Sequence, residues 1–322
     1  MYPIKFQPVF KEKVWGGNRL YNDLFKEIAV TTEIGESWEI ACHREGSCKV
    51  RNGMYRDKTL KELISEYGSD IFGKKVDNFG DRFPLLFKFI DANDKLSVQV
   101  HPNDDYAMKY ENDLGKTEMW YIVDAKPGAK LVYGLKEGVT KQHFINSIKN
   151  NNIRSTLREI EVKKGDVLFI PPGTVHAIGE GILIAEIQQN SDVTYRVYDW
   201  DRVGLDGKPR ELHIDKALDV INFDTYVENP KVEGLSFYEC GYKRINRVSC
   251  KYFNVDVLDI HSHYIDNLNG ERFEIFMCVD GEFNIEYRDD IEGFVKGETI
   301  LLPANIGSFS IKGNGRVIRT YI

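Results

Sequence analysis

Two stretches of this 322-residue chain recur, in the same order, in its second half. KTEMWYIVDAKPG aligns with RFEIFMCVDGEF, setting Lys116 on Arg272, Glu118 on Glu274, Val123 on Val279 and Asp124 on Asp280. KKGDVLFIPPGTVHAI then aligns with VKGETILLPANIGSFSI, setting Gly165 on Gly297 and Pro171 on Pro303. An ordered pair of repeats most simply means two copies of one structural unit. The copies differ at one reactive position: His176, five residues after Pro171, has Ser308 as its counterpart. Chemistry is therefore expected in the first half.

The units are mostly β. LLFKFIDA, LSVQVHP, TEMWYIVDA, DVLFIPP, ILIAEIQQN and VTYRVYDW are short runs rich in β-branched and aromatic residues, bounded by Gly, Pro, Asp or Asn. Helix signals are fewer. TLKELISEYG opens with Thr59 and Glu62 in capping-box spacing, and NDDYAMKYEN, VTKQHFINSIKN and HIDKALDVINF follow. The pattern predicts two β-domains of sandwich or barrel type. The first is expected over 1–228 with helical insertions and the second over 229–322, joined near YVENPKVEG. Asp280-Gly281, between two strand-like runs, predicts a tight hairpin.

A net charge of −7 argues against nucleic acid, which needs a basic face, but leaves room for a small anionic substrate. Charged residues interrupt every apolar run, so no membrane span is expected, and the N-terminus MYPIKFQPVF does not read as a signal peptide. Five scattered cysteines fit no disulfide framework, so a cytoplasmic protein is expected.

Polar residues on apolar strands mark the candidate site. In LSVQVHP, Ser97, Gln99 and His101 share one face; alone, they would be an ordinary solvated face. Glu118 is harder to dismiss, because both faces of EMWYIV are apolar and a buried carboxylate needs a partner. Lys116 is one candidate partner and a divalent metal another. His176, in a turn after an apolar strand, completes a set of two imidazoles and a carboxylate, which suits zinc with an open position.

Glu118 with its strand, and Gly165, Pro171, Gly173 and His176 in the spacing G-x5-P-x-G-x2-H, resemble the two cupin motifs. Glu180 stands where the second motif ordinarily ends in Asn. Gln99-Val100-His101-Pro102 followed by Glu118 resembles the variant found in type I mannose-6-phosphate isomerases. KVWGGNRL, GESWEIA, QQNSDVTYRVYDWDR and RELHIDKALD extend that resemblance over most of the chain, toward the short bacterial form.

The resemblance implies two cupin-type jelly-roll domains and one Zn2+ per chain, held by Gln99, His101, Glu118 and His176. It implies catalytic roles for Lys116 and Arg196. It also places Arg202, Ser97, Lys88 and Glu186 at substrate-pocket positions, Arg202 where long-form members carry a lysine. Trp15, beside two glycines, could wall a sugar pocket or simply fill core. The implied reaction interconverts mannose 6-phosphate and fructose 6-phosphate through an enediol(ate), with the ion as Lewis acid. Arg196, permanently protonated, suits charge stabilisation better than proton abstraction, and Arg202 is the first candidate for the phosphate. Another metal-cupin reaction and a sugar-binding double cupin without turnover are the competing readings.

His261-Ser262-His263 with Glu274 looks like the start of a second metal motif, but the loss of the last histidine argues against a second catalytic ion. Cys42, His43 and Cys48 fit no common zinc spacing, and His143 and His213 need no function.

Overall fold

The computed structural model describes residues 1–29, 32–74 and 83–322. Every apolar run above forms a strand, because alternate side chains find cores on opposite faces. Along Glu118–Ala125, Trp120 and Ile122 enter the interior of the first barrel, while Met119, Tyr121 and Val123 enter a second core. Their repeat partners behave alike. Phe276 and Cys278 fill the second barrel, and Ile275, Met277 and Val279 join the same shared core. The two β-units are thus packed back to back. Each large side chain buried there contributes roughly 1.5–3 kcal/mol.

The first barrel has two antiparallel sheets. One runs in the order Val167–Ile170, Glu118–Ala125, Ile182–Gln189, Leu85–Ala92, Ile34–Ile40, Val9–Gly17. The other runs Leu157–Glu161, Lys130–Leu135, His176–Ala177, Val98–Val100, Tyr195–Tyr198. Helices Asp104–Glu111 and Lys141–Lys149 are inserted between these strands, and Ile214–Val220 follows the last of them. Helix Leu60–Phe72 begins at the expected capping box, with Thr59 and Glu62 each bonded to the other's backbone N–H.

The second half contributes eight strands of a single ten-stranded sheet, and the chain's first strand belongs to it. Ile4–Gln7 pairs with Thr299–Leu302 on one side and Lys49–Val50 on the other. No helix or strand lies between Val220 and Leu235.

Asp280-Gly281 is not a hairpin. One strand, Glu274–Tyr287, runs through it, with a register shift between Cys278 and Asp280. Gly281 has φ +87°, and a β-carbon there would stand 2.2 Å from the Asn314 carbonyl oxygen. The glycine permits a β-bulge and a close approach of two backbones, requirements that a turn glycine shares in sequence. The reversal comes at Arg288-Asp289, where Arg288 takes φ +49°.

Candidate active site

Three strands bring three buried side chains together. His101 follows Val98–Val100, Glu118 opens Glu118–Ala125, and His176 opens the two-residue strand after the Pro-Pro-Gly turn. That turn is tied to the site directly. Gly173 N–H donates to the His101 carbonyl at 2.9 Å, and its φ of +84° explains the glycine.

The imidazoles are oriented by backbone. His101 Nδ1–H donates to the Val193 carbonyl and His176 Nδ1–H to the Thr174 carbonyl, both at 2.9 Å. A carbonyl can only accept, so each Nδ1 carries the proton and each Nε2 is left with a lone pair. Those Nε2 atoms lie 3.1 Å apart. Glu118 sets Oε1 3.2 Å from His101 Nε2 and Oε2 3.7 Å from His176 Nε2, and Oε2 is buried without a hydrogen-bond donor. Two facing lone pairs and an orphaned carboxylate oxygen form a cradle for a cation. Two imidazoles and a carboxylate are a donor set that suits zinc and other first-row divalent ions. The amide of Gln99 lies against His176, at 3.3 Å, on the paired strand. Among the described residues, this is the one His, Cys, Asp and Glu cluster close enough to hold a metal.

The electrostatics agree with that reading. Burial pushes both imidazoles toward the neutral form, helped at His101 by Lys116, and holds His101 down to about 3. Burial alone would raise the Glu118 carboxyl, but Lys116, 3.2 Å away, and the two imidazoles hold it well below the usual carboxylate range.

A cavity of about 230 Å³ opens beside this cluster. Its wall includes Trp15, Lys88, Ser97, Gln99, Lys116, Glu118, Glu186 and Arg196. Lys88 stands 3.2 Å from Glu186 and 3.8 Å from Glu36, and Trp120 Nε1–H donates to Glu186 at 2.8 Å. Burial and the charge of Glu118 push Glu186 up, while Glu36, opposed by burial but paired with Lys88 and Lys13, is held down to about 2. Arg196 N–H of the guanidinium ε position reaches the Ser97 hydroxyl at 3.3 Å.

Arg202 stands apart from that wall, bound to Asp199 at 3.0 Å and Asp94 at 3.4 Å. Lys13, Glu36, Asp192, Thr194 and Arg210 line the cavity without having been singled out in the sequence. Glu36 carried the signal that marked Glu118, a carboxylate inside the buried strand Ile34–Ile40. Arg210, in a polar loop, broke no local rule, although it opens the RELHIDKALD segment that carries the resemblance.

The second barrel buries Glu274 at the place of Glu118 but surrounds it differently. Arg272 donates to it at 2.9 Å, and Arg319 grips both its oxygens while reaching Asp256 at 3.2 Å and Asp266 at 3.0 Å. His261 is exposed and His263 half-buried, bonded to Ser262. Along His263–Leu268 the inward residues are Tyr264, Asp266 and Leu268, and opposite Asp266 lies Phe309. The His-x-His pair therefore lies outside the barrel, and Phe309 rather than Ser308 fills the interior at that level.

Similarity to known proteins agrees with this geometry. The family profile "Phosphomannose isomerase type I, catalytic domain" matches residues 4–127, and "Mannose-6-phosphate isomerase, cupin domain" matches 243–322. The chain is 40% identical over 321 residues to the mannose-6-phosphate isomerase ManA of Bacillus subtilis, covering 99% of each. It is 37% identical to the mannose-6-phosphate isomerase of Streptococcus mutans, over 99% of this chain and 98% of that one. The crystal structure of the mannose 6-phosphate isomerase from Bacillus subtilis superposes with a TM-score of 0.93 at 37% identity, covering all of both chains. A mainly β, double-barrel chain that matches these proteins from end to end belongs to the type I phosphomannose isomerase family.

Proposed function

We propose that this chain interconverts mannose 6-phosphate and fructose 6-phosphate through an enediol(ate), with one zinc ion held by His101, Glu118 and His176 and completed by Gln99. The observation that carries the zinc assignment is the pair of proton-free Nε2 atoms 3.1 Å apart beside an unsatisfied carboxylate oxygen. A bound zinc ion would supply Lewis-acid stabilisation to the oxygens on C1 and C2.

The remaining work falls to side chains. Moving a proton between C1 and C2 needs a group that can accept and return it close to the reacting carbons. Lys116 is buried, lines the cavity and lies 3.2 Å from Glu118, so it is positioned to carry that proton or to balance enediolate charge. Arg196 stabilises developing negative charge and orients the sugar, since a guanidinium stays protonated. Lys88 and Glu186, mutually paired, and Trp15 line the same cavity, where polar pairs and an aromatic face suit hydroxyl and ring contacts. Cys48, Cys240, Cys250 and Cys278 are free thiols, and no helix among the described residues is long and apolar enough to cross a membrane. Both facts are compatible with a cytoplasmic site of action.

A coupled assay with mannose 6-phosphate, before and after complete chelation, tests this reading. Turnover should vanish with the metal and return with added zinc. Full activity in metal-free protein would defeat the zinc mechanism.

A further inference from the structure

Charge is divided unevenly along the cavity. At one end every cation has its own carboxylate: Lys13 and Lys88 meet Glu36 and Glu186, and Lys116 meets Glu118. At the other end Arg196 and Arg210 line the wall. The Arg196 guanidinium donates to the Ser97 hydroxyl at 3.3 Å and to the Glu211 carbonyl at 2.8 Å, both uncharged acceptors. Arg210 is gripped by both oxygens of Asp199, at 2.6 and 2.5 Å. Arg202 draws on the same Asp199 from outside the cavity and adds only the exposed Asp94. Arg202 and Arg210 thus share one buried carboxylate, and Arg196 has no ion pair of its own, so the guanidiniums at this end outnumber their direct carboxylate partners even with Asp192 also in the cavity lining. Burial and the nearby Arg210 charge both lower the affinity of Arg196 for its proton, as crowded cations should.

The backbone is built to keep this arrangement. Trp200 and Asp201 both take left-handed φ, +58° and +55°, which is costly for two successive residues that are not glycine. Trp200 Nε1–H donates to the Leu96 carbonyl at 2.7 Å, fastening the corner one residue before Ser97. The loop then folds back, with Gly204 N–H on the Lys208 carbonyl at 2.7 Å, and returns Arg210 to Asp199.

We propose that Arg210, held by Asp199, contacts the substrate phosphate together with Ser97 at the Arg196 end of the cavity, and that Arg202 is a positioning residue behind it. This assignment rests on the isomerase reading above. A phosphate dianion there supplies the missing charge, and it lies at the end of the wall away from the paired lysines. Asp199 orients Arg210 and, being shared with Arg202, leaves its charge only partly neutralised.

The test compares zinc-loaded wild type with Arg210→Ala, Arg210→Lys, Arg202→Ala and Asp199→Asn. KM for mannose 6-phosphate, kcat, and competitive inhibition by inorganic phosphate are measured for each. Loss of a charged hydrogen-bonding group predicts a KM increase of ~10- to 100-fold in Arg210→Ala, with kcat changed far less and phosphate inhibition weakened in parallel. Arg210→Lys should recover part of the loss, which guards against a folding defect. Arg202→Ala and Asp199→Asn should raise KM by smaller factors. The assignment is overturned if Arg202→Ala raises KM more than Arg210→Ala does, or if phosphate inhibits Arg210→Ala and wild type equally. A wild-type protein that binds phosphate in an Arg210-dependent way but turns over no mannose 6-phosphate would instead defeat the isomerase reading and leave the phosphate subsite standing.

Discussion

The two barrels bury a glutamate at the same repeat position and satisfy it by opposite means. In the first, Glu118 faces two proton-free imidazole nitrogens and keeps one oxygen unsatisfied. In the second, Glu274 is closed off by Arg272 and Arg319. The difference extends to the neighbouring strands. Lys88 pairs across its sheet with Glu186, which lies opposite Trp120; Asp256 pairs with Arg319, which lies opposite Phe276. The same two places therefore hold Lys–Glu in one barrel and Asp–Arg in the other. The inversion turns an open cation cradle into a barrel with a guanidinium as its permanent cation. A complete internal ion network is a structural solution; an incomplete one is a binding site.

The largest test of that contrast sets His176→Ala against Glu274→Gln. On the proposed zinc assignment, His176→Ala should lose most of its metal, measured by elemental analysis, and at least ~10³-fold in kcat/KM. Glu274→Gln should keep its metal and its kcat within a few-fold. Retained metal and activity in His176→Ala would remove the distinction between the barrels.

Glu274→Gln should show its effect in stability instead. Arg319 keeps Asp256 and Asp266, so losing the Glu274 charge costs ~1.5–3 kcal/mol rather than the cost of a wholly unpaired buried cation. Denaturant unfolding would detect that loss. A variant as stable as wild type would mean that the second network is not what holds that barrel together.

A pH series also separates the barrels. The folded chain without metal keeps His101 neutral to about 3, whereas the unfolded chain takes up that proton near the ordinary histidine value. The unfolded state thus binds more protons in this window, and stability falls as pH drops from about 6.5 toward 3. Full expression of the shift corresponds to a loss on the order of 5 kcal/mol. Metal-free His101→Gln should show a flatter acid limb; an unchanged slope would contradict the assignment. Glu36, held to about 2, loses its stabilising contribution between the unfolded carboxylate value and that pH, so this window overlaps only at the acid end.

The smallest expected effect is at the bulge. Gly281→Ala, facing a positive φ and a carbonyl 2.2 Å away, should cost ~1–3 kcal/mol without altering zinc content. No loss of stability would mean that the strand can pass this point without the glycine.

Much of the site was legible because its residues broke local rules. Glu118 interrupts an apolar strand, Lys88 does the same in Leu85–Ala92, and His176 follows a turn whose glycine takes positive φ. One reading failed where a local pattern has more than one physical cause: Asp280-Gly281 serves a bulge as well as it serves a turn. Arg210 could not be found in either way. Its loop is polar, its neighbours are ordinary, and nothing in PRELH tells which of several arginines folds back onto Asp199.

The sequence by itself determined the two β-units, the strands that build them, and the His101, Glu118 and His176 set, because periodicity and misplaced polarity are properties of neighbouring residues. Tertiary structure alone decided that the first strand, Ile4–Gln7, completes the second sheet, that Arg319 closes the second barrel, and that Arg210 rather than Arg202 reaches the cavity. Those outcomes depend on register and loop closure between residues far apart in the chain. The free energy that selects them comes from burying and pairing charges that meet only once the chain has folded.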